Sequence, residues 1–256
     1  MTAFLYHQYN YGFDNYGVLI HDPKSLKTAC VDVGDSEKAL SELKNKNWTL
    51  DEIWITHHHG DHTDGLLDLK QKTGAFVYGP QQKSQIIRGL DKELSDGDEF
   101  IFSNQTVRVI HTPGHTIDMV NFYLPDQNTL FSGDTLFALG CGRIFEGNAA
   151  MMWESLKKLI ILPEETIIYC SHEYTLANAE FSISIDPKNK ALQERVKAIK
   201  DLRNMDLPTI PTNMGLELKT NPFLRASDPK IRQQLDMVKE PDTKVFEKVR
   251  LLKDNF

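Results

Sequence analysis

Histidine and aspartate residues follow four strand-like segments of this chain. The densest group is Thr56-His57-His58-His59-Gly60-Asp61-His62, which ends the apolar run Glu52–Thr56. His115, Asp134 and His172 each follow a later run of the same kind. Imidazole and carboxylate groups are ordinary ligands of zinc, iron and manganese. Because burying five imidazoles and two carboxylates together without a cation would be unfavourable, we expect a fold that gathers these strand ends around metal.

The order of the predicted elements indicates an α/β fold. Apolar runs at Tyr16–His21 and Thr28–Val33 are joined by the turn signal Asp22-Pro23-Lys24-Ser25 and predict a hairpin. Two sheets facing each other, with helices outside, would bury both faces of such strands. We further predict strands near Glu52–Thr56, Ala75–Tyr78, Glu99–Phe102, Thr106–His111, Val120–Leu124, Thr129–Ser132 and Thr166–Cys170, and helices over Ser36–Asn45, Thr63–Lys72, Gln81–Arg88 and Ala149–Leu162.

The pattern changes after Tyr174, where helical segments replace the alternation. Asp228-Pro229 is a helix start signal, because it pairs a capping carboxylate with a proline in the first turn. We therefore predict a metal-binding α/β domain over residues 1–173 and an all-helical domain over residues 174–256. The predicted helices of the second domain are Leu176–Ile185, Asn189–Asn204, Asp228–Val238 and Asp242–Leu252.

Composition and charge narrow the class of protein. The 256 residues carry a net charge of −7, which argues against a nucleic-acid binder. Residues 187–256 nevertheless hold 15 Lys and Arg against 10 Asp and Glu, a net charge of +5 that could attract an anionic small molecule. The beginning of the chain does not resemble a signal peptide, and no apolar run reaches the ~20 residues of a membrane span. The three cysteines have no CxxC spacing, which favours buried thiols in a reducing cytoplasm.

The spacing of the ligand candidates indicates two metal ions. His57 and His59 are two residues apart, so in extended backbone their side chains point the same way, whereas that of His58 points away. We assign His57, His59 and His115 to one ion, and Asp61, His62 and His172 to the other. Asp134 has two oxygens and could bridge ions ~3.5–4 Å apart, as in two-metal hydrolytic sites.

These residues also carry a family resemblance. The segment from Thr56 to His62 matches the THxHxDH signature of the metallo-β-lactamase superfamily, and within it the chain resembles the glyoxalase II family, the hydroxyacylglutathione hydrolases. The similarity extends over essentially the whole chain. It includes Gly140–Gly147, Cys170–Thr175, Asn221–Arg225 and Arg250–Phe256. The resemblance implies an αββα sandwich followed by a smaller C-terminal all-helical domain.

The resemblance also implies a substrate, S-D-lactoylglutathione, and the products D-lactate and glutathione, a reaction of methylglyoxal detoxification. Arg143 and Tyr174 match family positions that contact glutathione. Arg250 and Lys253 match the pair that holds its glycine carboxylate, and their spacing of three puts them on one side of a helix. Phe145 replaces a tyrosine seen in some members, so one hydroxyl contact is lost there.

The chemistry agrees with this expectation. Two divalent ions lower the pKa of a shared water from ~15.7 toward 7, which supplies a metal-bridged hydroxide to attack the thioester carbonyl. The leaving thiolate, whose parent thiol has a pKa of ~8.5, needs no strong general acid. We expect two zinc ions, with iron or manganese as alternatives. Asp61 and Asp134 are the predicted catalytic carboxylates; Asp61 could act as a general base, but we place it first as a ligand.

The sequence also argues against other functions that share parts of the motif. The acidic charge argues against an RNA-processing nuclease of the superfamily, and the tail with Arg250 and Lys253 argues against a lactonase or β-lactamase. A persulfide dioxygenase would share parts of the motif but use one iron. A non-catalytic binding protein would have lost ligands, whereas every ligand position here is filled. We expect a cytoplasmic monomer acting on a glutathione thioester, without nucleic acid or membrane partners.

Overall fold

The computed structural model describes residues 3–82 and 85–256. These described residues form two compact units. The first takes in the residues up to His111 together with Thr116–Gly133, and the second takes in Thr112–His115 together with Asp134–Phe256. Within the same residues, no helix is both long enough and apolar enough to cross a bilayer.

The first unit contains two sheets. Strands β1 to β3 pair antiparallel and strands β3 to β6 pair parallel. These strands are β1 (Leu5–Tyr11), β2 (Asn15–His21), β3 (Thr28–Val31), β4 (Glu52–Trp54), β5 (Phe76–Pro80) and β6 (Lys92–Leu94). The other sheet has antiparallel neighbours in the order β10-β9-β8-β7. Its strands are β7 (Glu99–Phe102), β8 (Gln105–His111), β9 (Val120–Leu124) and β10 (Thr129–Gly133).

Strand β4 shows why these sheets face each other. Side chains alternate between the two faces of a strand, and β4 is apolar on both. Ile53 and Ile55 belong to one apolar cluster with the helices α1 (Ser36–Lys46) and α3 (Leu66–Thr73). Trp54 points the other way, and its ring lies 5.2 to 6.3 Å from four phenylalanine rings of the second sheet, those of Phe100, Phe102, Phe122 and Phe131. The first unit is therefore layered as helix, sheet and sheet.

The helices of the first unit are fixed at their ends. In α1 the Asp35 side chain accepts a hydrogen bond from the Lys38 N–H at 2.9 Å, and Asn47 ends the helix in the left-handed conformation. A short helix, α2 (Gly60–Thr63), precedes α3. The break between them falls at Gly65, whose N–H donates to the Val33 carbonyl at 2.9 Å instead of continuing a helix.

The second unit is mainly helical. Its elements are the strands β11 (Leu136–Phe137), β12 (Gly140–Cys141), β13 (Ile167–Cys170) and β14 (Thr212–Asn213), and the helices α4 (Ala149–Ile160), α5 (Thr175–Ile185), α6 (Lys190–Asn204), α7 (Met214–Thr220), α8 (Pro229–Gln234) and α9 (Asp242–Asp254). Helices α4 and α9 pack through Trp153 and Phe246, whose rings lie 5.6 Å apart. The buried Glu217 accepts from the Leu139 N–H at 2.8 Å and pairs with Arg195, so polar contacts also tie this core together.

Most of the predicted elements are confirmed. The hairpin, the strands after Glu52 and the helices α1, α4, α5, α6 and α9 lie within a few residues of their predicted positions. The helix expected over Asp228–Val238 ends at Gln234, because Asp236 adopts a left-handed backbone (φ 59°). The helix expected over Gln81–Arg88 includes Lys83 and Ser84, which lie outside the described residues, and the described residues beside them are not helical. Strands β1, β6, β11, β12 and β14 and helix α7 were not predicted.

The cysteines behave as predicted. Cys30, Cys141 and Cys170 are free thiols, and all are buried. Burial raises the pKa of Cys30 and Cys170 to about 12 and that of Cys141 to about 11. These side chains therefore stay protonated and act as small apolar groups of the core.

The Trp54 contact generates a stability prediction. The Trp54 Nε1–H donates to Glu52 Oε2 at 2.9 Å, and both side chains are buried. We expect Trp54→Phe to lower the free energy of unfolding by about 1–3 kcal/mol, because it removes packing volume and leaves the Glu52 carboxylate without this donor. Denaturant unfolding measures the change.

Glu52→Gln is the matched control, because the amide oxygen still accepts from Trp54. Burial raises the pKa of Glu52, so its ionised form opposes folding at pH values above its ordinary range. At pH 8 the Gln variant should therefore be as stable as the parent or more stable. A Gln variant as unstable as Trp54→Phe would contradict this account.

Candidate metal centre

Asp32 organises the metal-ligand candidates of the first unit. Strands β3 and β4 are parallel neighbours, so the residues that follow them lie side by side. Asp32, which follows β3, accepts from the Thr56 N–H at 2.8 Å through Oδ1. Its Oδ2 lies 2.8 Å from the Thr56 hydroxyl and 2.9 Å from His62 Nδ1. Asp32 is buried and has a left-handed backbone (φ 56°), a conformation that aspartate tolerates better than most residues.

These contacts determine which ring nitrogens carry protons. A carboxylate only accepts hydrogen bonds, so both the Thr56 hydroxyl and His62 Nδ1 must donate to Asp32. The Thr56 hydroxyl has then used its one proton, and it must accept from His57 Nδ1, which lies 3.0 Å away. In their neutral forms His57 and His62 therefore each have the lone pair on Nε2, the tautomer that can bind metal through that atom.

The nitrogen and oxygen atoms that could bind metal are as far apart as two ligands of one metal ion. His57 Nε2 lies 3.0 Å from His59 Nδ1, and His62 Nε2 lies 3.4 Å from Asp61 Oδ2. Donors at about 2.0–2.1 Å from one ion in tetrahedral geometry would lie roughly 3.3 Å apart. His57 and His62 are fully buried. The residues of this loop therefore fit a divalent metal ion.

Asp61 is held in place from two sides. The Tyr11 hydroxyl donates to the Asp61 carbonyl at 2.8 Å, and Asn15 Nδ2 donates to Asp61 Oδ2 at 2.9 Å. Gly34 allows the approach of this segment, because a Cβ at that position would lie only 2.1 Å from the Asp61 carbonyl oxygen. The Asp61 carboxylate is thus oriented by the β1–β2 hairpin.

The second unit carries the other three ligand candidates, gathered around Asp134. His115 Nε2 lies 3.3 Å from Asp134 Oδ2, and His172 Nε2 lies 3.5 Å from Oδ1. His115 Nδ1 is 2.8 Å from the Arg143 carbonyl oxygen, to which it must donate, so neutral His115 also has its lone pair on Nε2. The Ser171 hydroxyl donates to Asp134 Oδ1. This cluster is buried, and His115 carries its proton on Nδ1 as His57 and His62 do.

Aromatic side chains border the ligands of the second unit. The Tyr174 ring stacks on the His172 ring at 4.7 Å and an interplanar angle of 2°. Phe137 meets the two rings edge-on, at 5.9 Å from His172 and 5.4 Å from Tyr174. The exposed Phe145 ring lies 5.2 Å from that of His115. Both predicted aromatic contact residues, Tyr174 and Phe145, therefore lie beside ligand candidates.

The Arg250–Lys253 pair occupies the last helix as expected, but its members differ in burial. Arg250 is buried, donates to the Cys141 carbonyl at 2.9 Å, and pairs with Asp254 at 2.8 Å. Lys253 Nζ donates to the Ala177 carbonyl at 3.0 Å and lies over the Phe181 ring. Burial, followed by the positive charges of Arg250 and Arg143, lowers the pKa of Lys253. An anion bound beside Lys253 would relieve that repulsion.

Several residues that shape the clusters were not singled out from the sequence. Asp32 and Thr56 set the proton order, Tyr11 and Asn15 orient Asp61, and Phe137 packs on His172. A carboxylate directly after an apolar strand, as in Val31-Asp32, is a usable signal. It becomes specific only when β3 is known to be the neighbour of β4.

Three of the other four histidines have local partners that the structure shows. His7 Nε2 lies 2.9 Å from Glu42 Oε2, and His21 Nδ1 lies 2.9 Å from the Thr28 hydroxyl. His111 Nε2 donates to the Ile117 carbonyl at 2.7 Å. These contacts explain the three histidines without a metal ion.

The fold and the histidine–aspartate clusters are those of the metallo-β-lactamase superfamily. The family model described as Metallo-beta-lactamase superfamily matches residues 27–172. Among solved structures, ETHE1 from Myxococcus xanthus superposes with a TM-score of 0.66 at 23% identity, over 96% of both chains. The expected α/β sandwich class is thereby confirmed, and the clusters support binding of divalent metal.

Closer relatives narrow the identification. The family model for the hydroxyacylglutathione hydrolase C-terminus matches residues 173–256. The hydroxyacylglutathione hydrolase of Brucella anthropi is 51% identical over 243 residues, which cover 95% of this chain and 94% of the relative. That of Rhizobium meliloti is 50% identical and covers 95% of each chain. This chain belongs to the hydroxyacylglutathione hydrolase family, as the sequence motifs predicted.

The role of Asp32 leads to a prediction. Asp32→Asn keeps the size of the side chain and tolerates the left-handed backbone, but its amide nitrogen cannot accept from Thr56 or His62. We expect about 10–100-fold weaker metal affinity, because the imidazole Nε2 atoms lose their orientation. Chelator competition with zinc measures the affinity.

Asp35→Asn is the matched control. Asp35 caps α1, and asparagine caps a helix about as well as aspartate, so metal affinity should stay at the parent value. Equal metal affinity in Asp32→Asn and the parent would show that Asp32 does not orient the metal ligands.

Proposed function

We propose that this chain hydrolyses S-D-lactoylglutathione to D-lactate and glutathione at a dinuclear metal centre. The chain is a thioester hydrolase of its family, and the reaction follows from that membership. The single observation that supports the chemistry best is which ring nitrogen of each histidine carries the proton. His57, His62 and His115 each direct Nδ1 at a protein acceptor and keep Nε2 for metal. Loss of thioester absorbance in the ultraviolet, together with release of D-lactate, tests the reaction directly.

The proposed ligand sets are those expected from the sequence. One ion would be held by His57, His59 and His115 and the other by Asp61, His62 and His172, with Asp134 available to both. The short Nε2–oxygen distances around Asp134 support its sharing, because His115 and His172 approach different oxygens of the same carboxylate. All donors are nitrogen or oxygen, which suits two zinc ions and is compatible with iron or manganese.

The residues of the chain have distinct tasks in the reaction. When bound, the metal ions supply a hydroxide nucleophile from water near neutral pH and stabilise developing negative charge. Asp134 and Asp61 hold negative charge at the centre, and the Ser171 and Asn15 hydrogen bonds fix their orientation. Tyr174, stacked on His172, offers its hydroxyl to the substrate. The glutathione thiolate leaves without a general acid, since its thiol has a pKa near ~8.5.

The glutathione carboxylate is assigned to the cationic group of Arg143, Arg250 and Lys253. Arg250 already donates to Cys141 and Asp254, so its main contribution is fixed positive charge. Burial and the nearby positive charges of Arg250 and Arg143 lower the pKa of the half-buried Lys253, and a bound anion would offset both effects. Phe145 lacks the hydroxyl of the corresponding tyrosine in some relatives, which removes one contact with the peptide.

The proposal extends to the domain boundaries, the oligomeric state and the cellular compartment of the protein. We place the metal domain at residues 1–173 and the glutathione-binding helical domain at residues 174–256. We further propose a cytoplasmic monomer that has no nucleic-acid or membrane partner. The net charge of −7 supports the absence of nucleic acid, and the buried, protonated cysteines suit a reducing compartment.

Asp134→Ala should reduce metal content as well as turnover. Removing the carboxylate takes away a ligand that His115 and His172 both approach, so we expect at most one retained metal ion per chain and a kcat lower by about 10²-fold or more. Elemental analysis and thioester hydrolysis on the same sample measure both effects. The control is Asp126→Ala, which changes an exposed carboxylate. It should leave metal content and kcat at the parent values. Two metal ions in Asp134→Ala would refute the shared role.

Lys253→Gln should raise KM for S-D-lactoylglutathione by about ten-fold while kcat changes little. Lys253 binds a remote part of the substrate, so its loss weakens ground-state and transition-state binding alike. Steady-state kinetics at pH 7 separate the two constants. Lys248→Gln, an exposed change on the same helix, is the control and should leave KM unchanged. Equal KM values in all three proteins would exclude Lys253 from substrate binding.

A further inference from the structure

A cationic cavity lies in the helical part of the second unit. Its volume is about 540 Å³, within the range of small-molecule sites. Five cationic side chains line it, together with Asp186, Asn189 and Ala191. The cations are Lys188, Lys190, Lys219, Arg225 and Lys230. None of the residues assigned to metal or glutathione lines this cavity.

Most of this positive charge is not neutralised by the protein. The buried carboxylate of Asp186 pairs with Arg225 at 2.5 Å, and Arg225 also pairs with Asp228. Lys219 Nζ lies 3.5 Å from Glu164, but both side chains are exposed, so this pair is weak. In the described part of the chain, Lys188, Lys190 and Lys230 have no ion-pair partner. The cavity therefore keeps a local positive charge although the whole chain is acidic.

The walls of the cavity are fixed by hydrogen bonds. Asn189 Nδ2 lies 2.9 Å from both Asp186 Oδ2 and the Lys219 carbonyl oxygen, so one amide links the ends of α5 and α7. Asn189 Oδ1 also accepts from the Leu192 N–H at 3.2 Å, which caps α6. The Arg225 pair with Asp186 joins the loop before α8 to this frame. These hydrogen bonds fix the backbone around the cavity and the Arg225 guanidinium, whereas the four lysine side chains are exposed and would become ordered on binding.

We propose that this cavity binds a small phosphate-bearing polyanion. Three lysines without protein partners match a ligand with at least two negative charges. Phosphate groups offer several acceptor oxygens to ammonium and guanidinium donors. The 15-residue helix α6 begins at Lys190, and its N-terminal dipole adds to the same charge preference. The volume of the cavity is that of a small-molecule site, which favours a free small molecule over the headgroups of a membrane surface.

Isothermal titration calorimetry with inorganic tripolyphosphate tests the proposal on the intact metal-loaded protein. The parent should bind one tripolyphosphate per chain. The triple variant Lys188→Gln, Lys190→Gln, Lys230→Gln should bind at least about ten-fold more weakly, a loss of about 1.4 kcal/mol. The control triple Lys197→Gln, Lys200→Gln, Lys248→Gln removes the same charge from exposed helix positions and should bind like the parent.

Several outcomes would overturn the proposal. Absence of tripolyphosphate binding by the parent would do so, and so would equal weakening in both triple variants, which would indicate unspecific attraction. Cosedimentation with phosphatidylglycerol vesicles in the absence of tripolyphosphate binding would assign the charge to a membrane surface instead. Thioester hydrolysis is measured alongside. A cavity variant that keeps hydrolysis but loses tripolyphosphate separates this site from the proposed catalytic function.

Discussion

The hydrogen bonds of the Asp32 carboxylate are the interaction on which the proposed metal chemistry depends. Because a carboxylate only accepts, Asp32 forces protons onto the Thr56 hydroxyl and His62 Nδ1, and through Thr56 onto His57 Nδ1. A free imidazole could place its proton on either nitrogen. Here the choice is made before any metal arrives, so the site loses little free energy in orienting its ligands.

The second unit applies the same rule with a different acceptor. There the Arg143 carbonyl oxygen accepts a hydrogen bond from His115 Nδ1–H, and the Ser171 hydroxyl donates to Asp134 and orients it. Gly142 permits this arrangement, since a Cβ at that position would lie 2.0 Å from the Asp134 carbonyl oxygen. Arg143 therefore has two functions, because its backbone orients a ligand while its guanidinium contributes to the cationic group near Lys253.

The strands and most of the metal-ligand candidates could be predicted from the sequence, for physical reasons. Short apolar strands are recognisable because both faces are buried, as in β4, and the metal-ligand candidates follow them directly. Asp32 could not be recognised, because its role depends on β3 pairing beside β4, a non-local fact. The break at Gly65 was missed for a similar reason, since its N–H donates to Val33 in a distant segment. The Arg250–Lys253 spacing predicted a shared helix face but not that Arg250 is buried against Cys141.

The nitrogen protonation state of the ligand histidines tests the central claim most directly. Long-range proton–nitrogen NMR of the metal-free protein near pH 7 distinguishes the two neutral tautomers from the imidazolium form. The account predicts that His57, His62 and His115 carry their proton on Nδ1 and a lone pair on Nε2. Neutral rings with the proton on Nε2 and the lone pair on Nδ1 would contradict it.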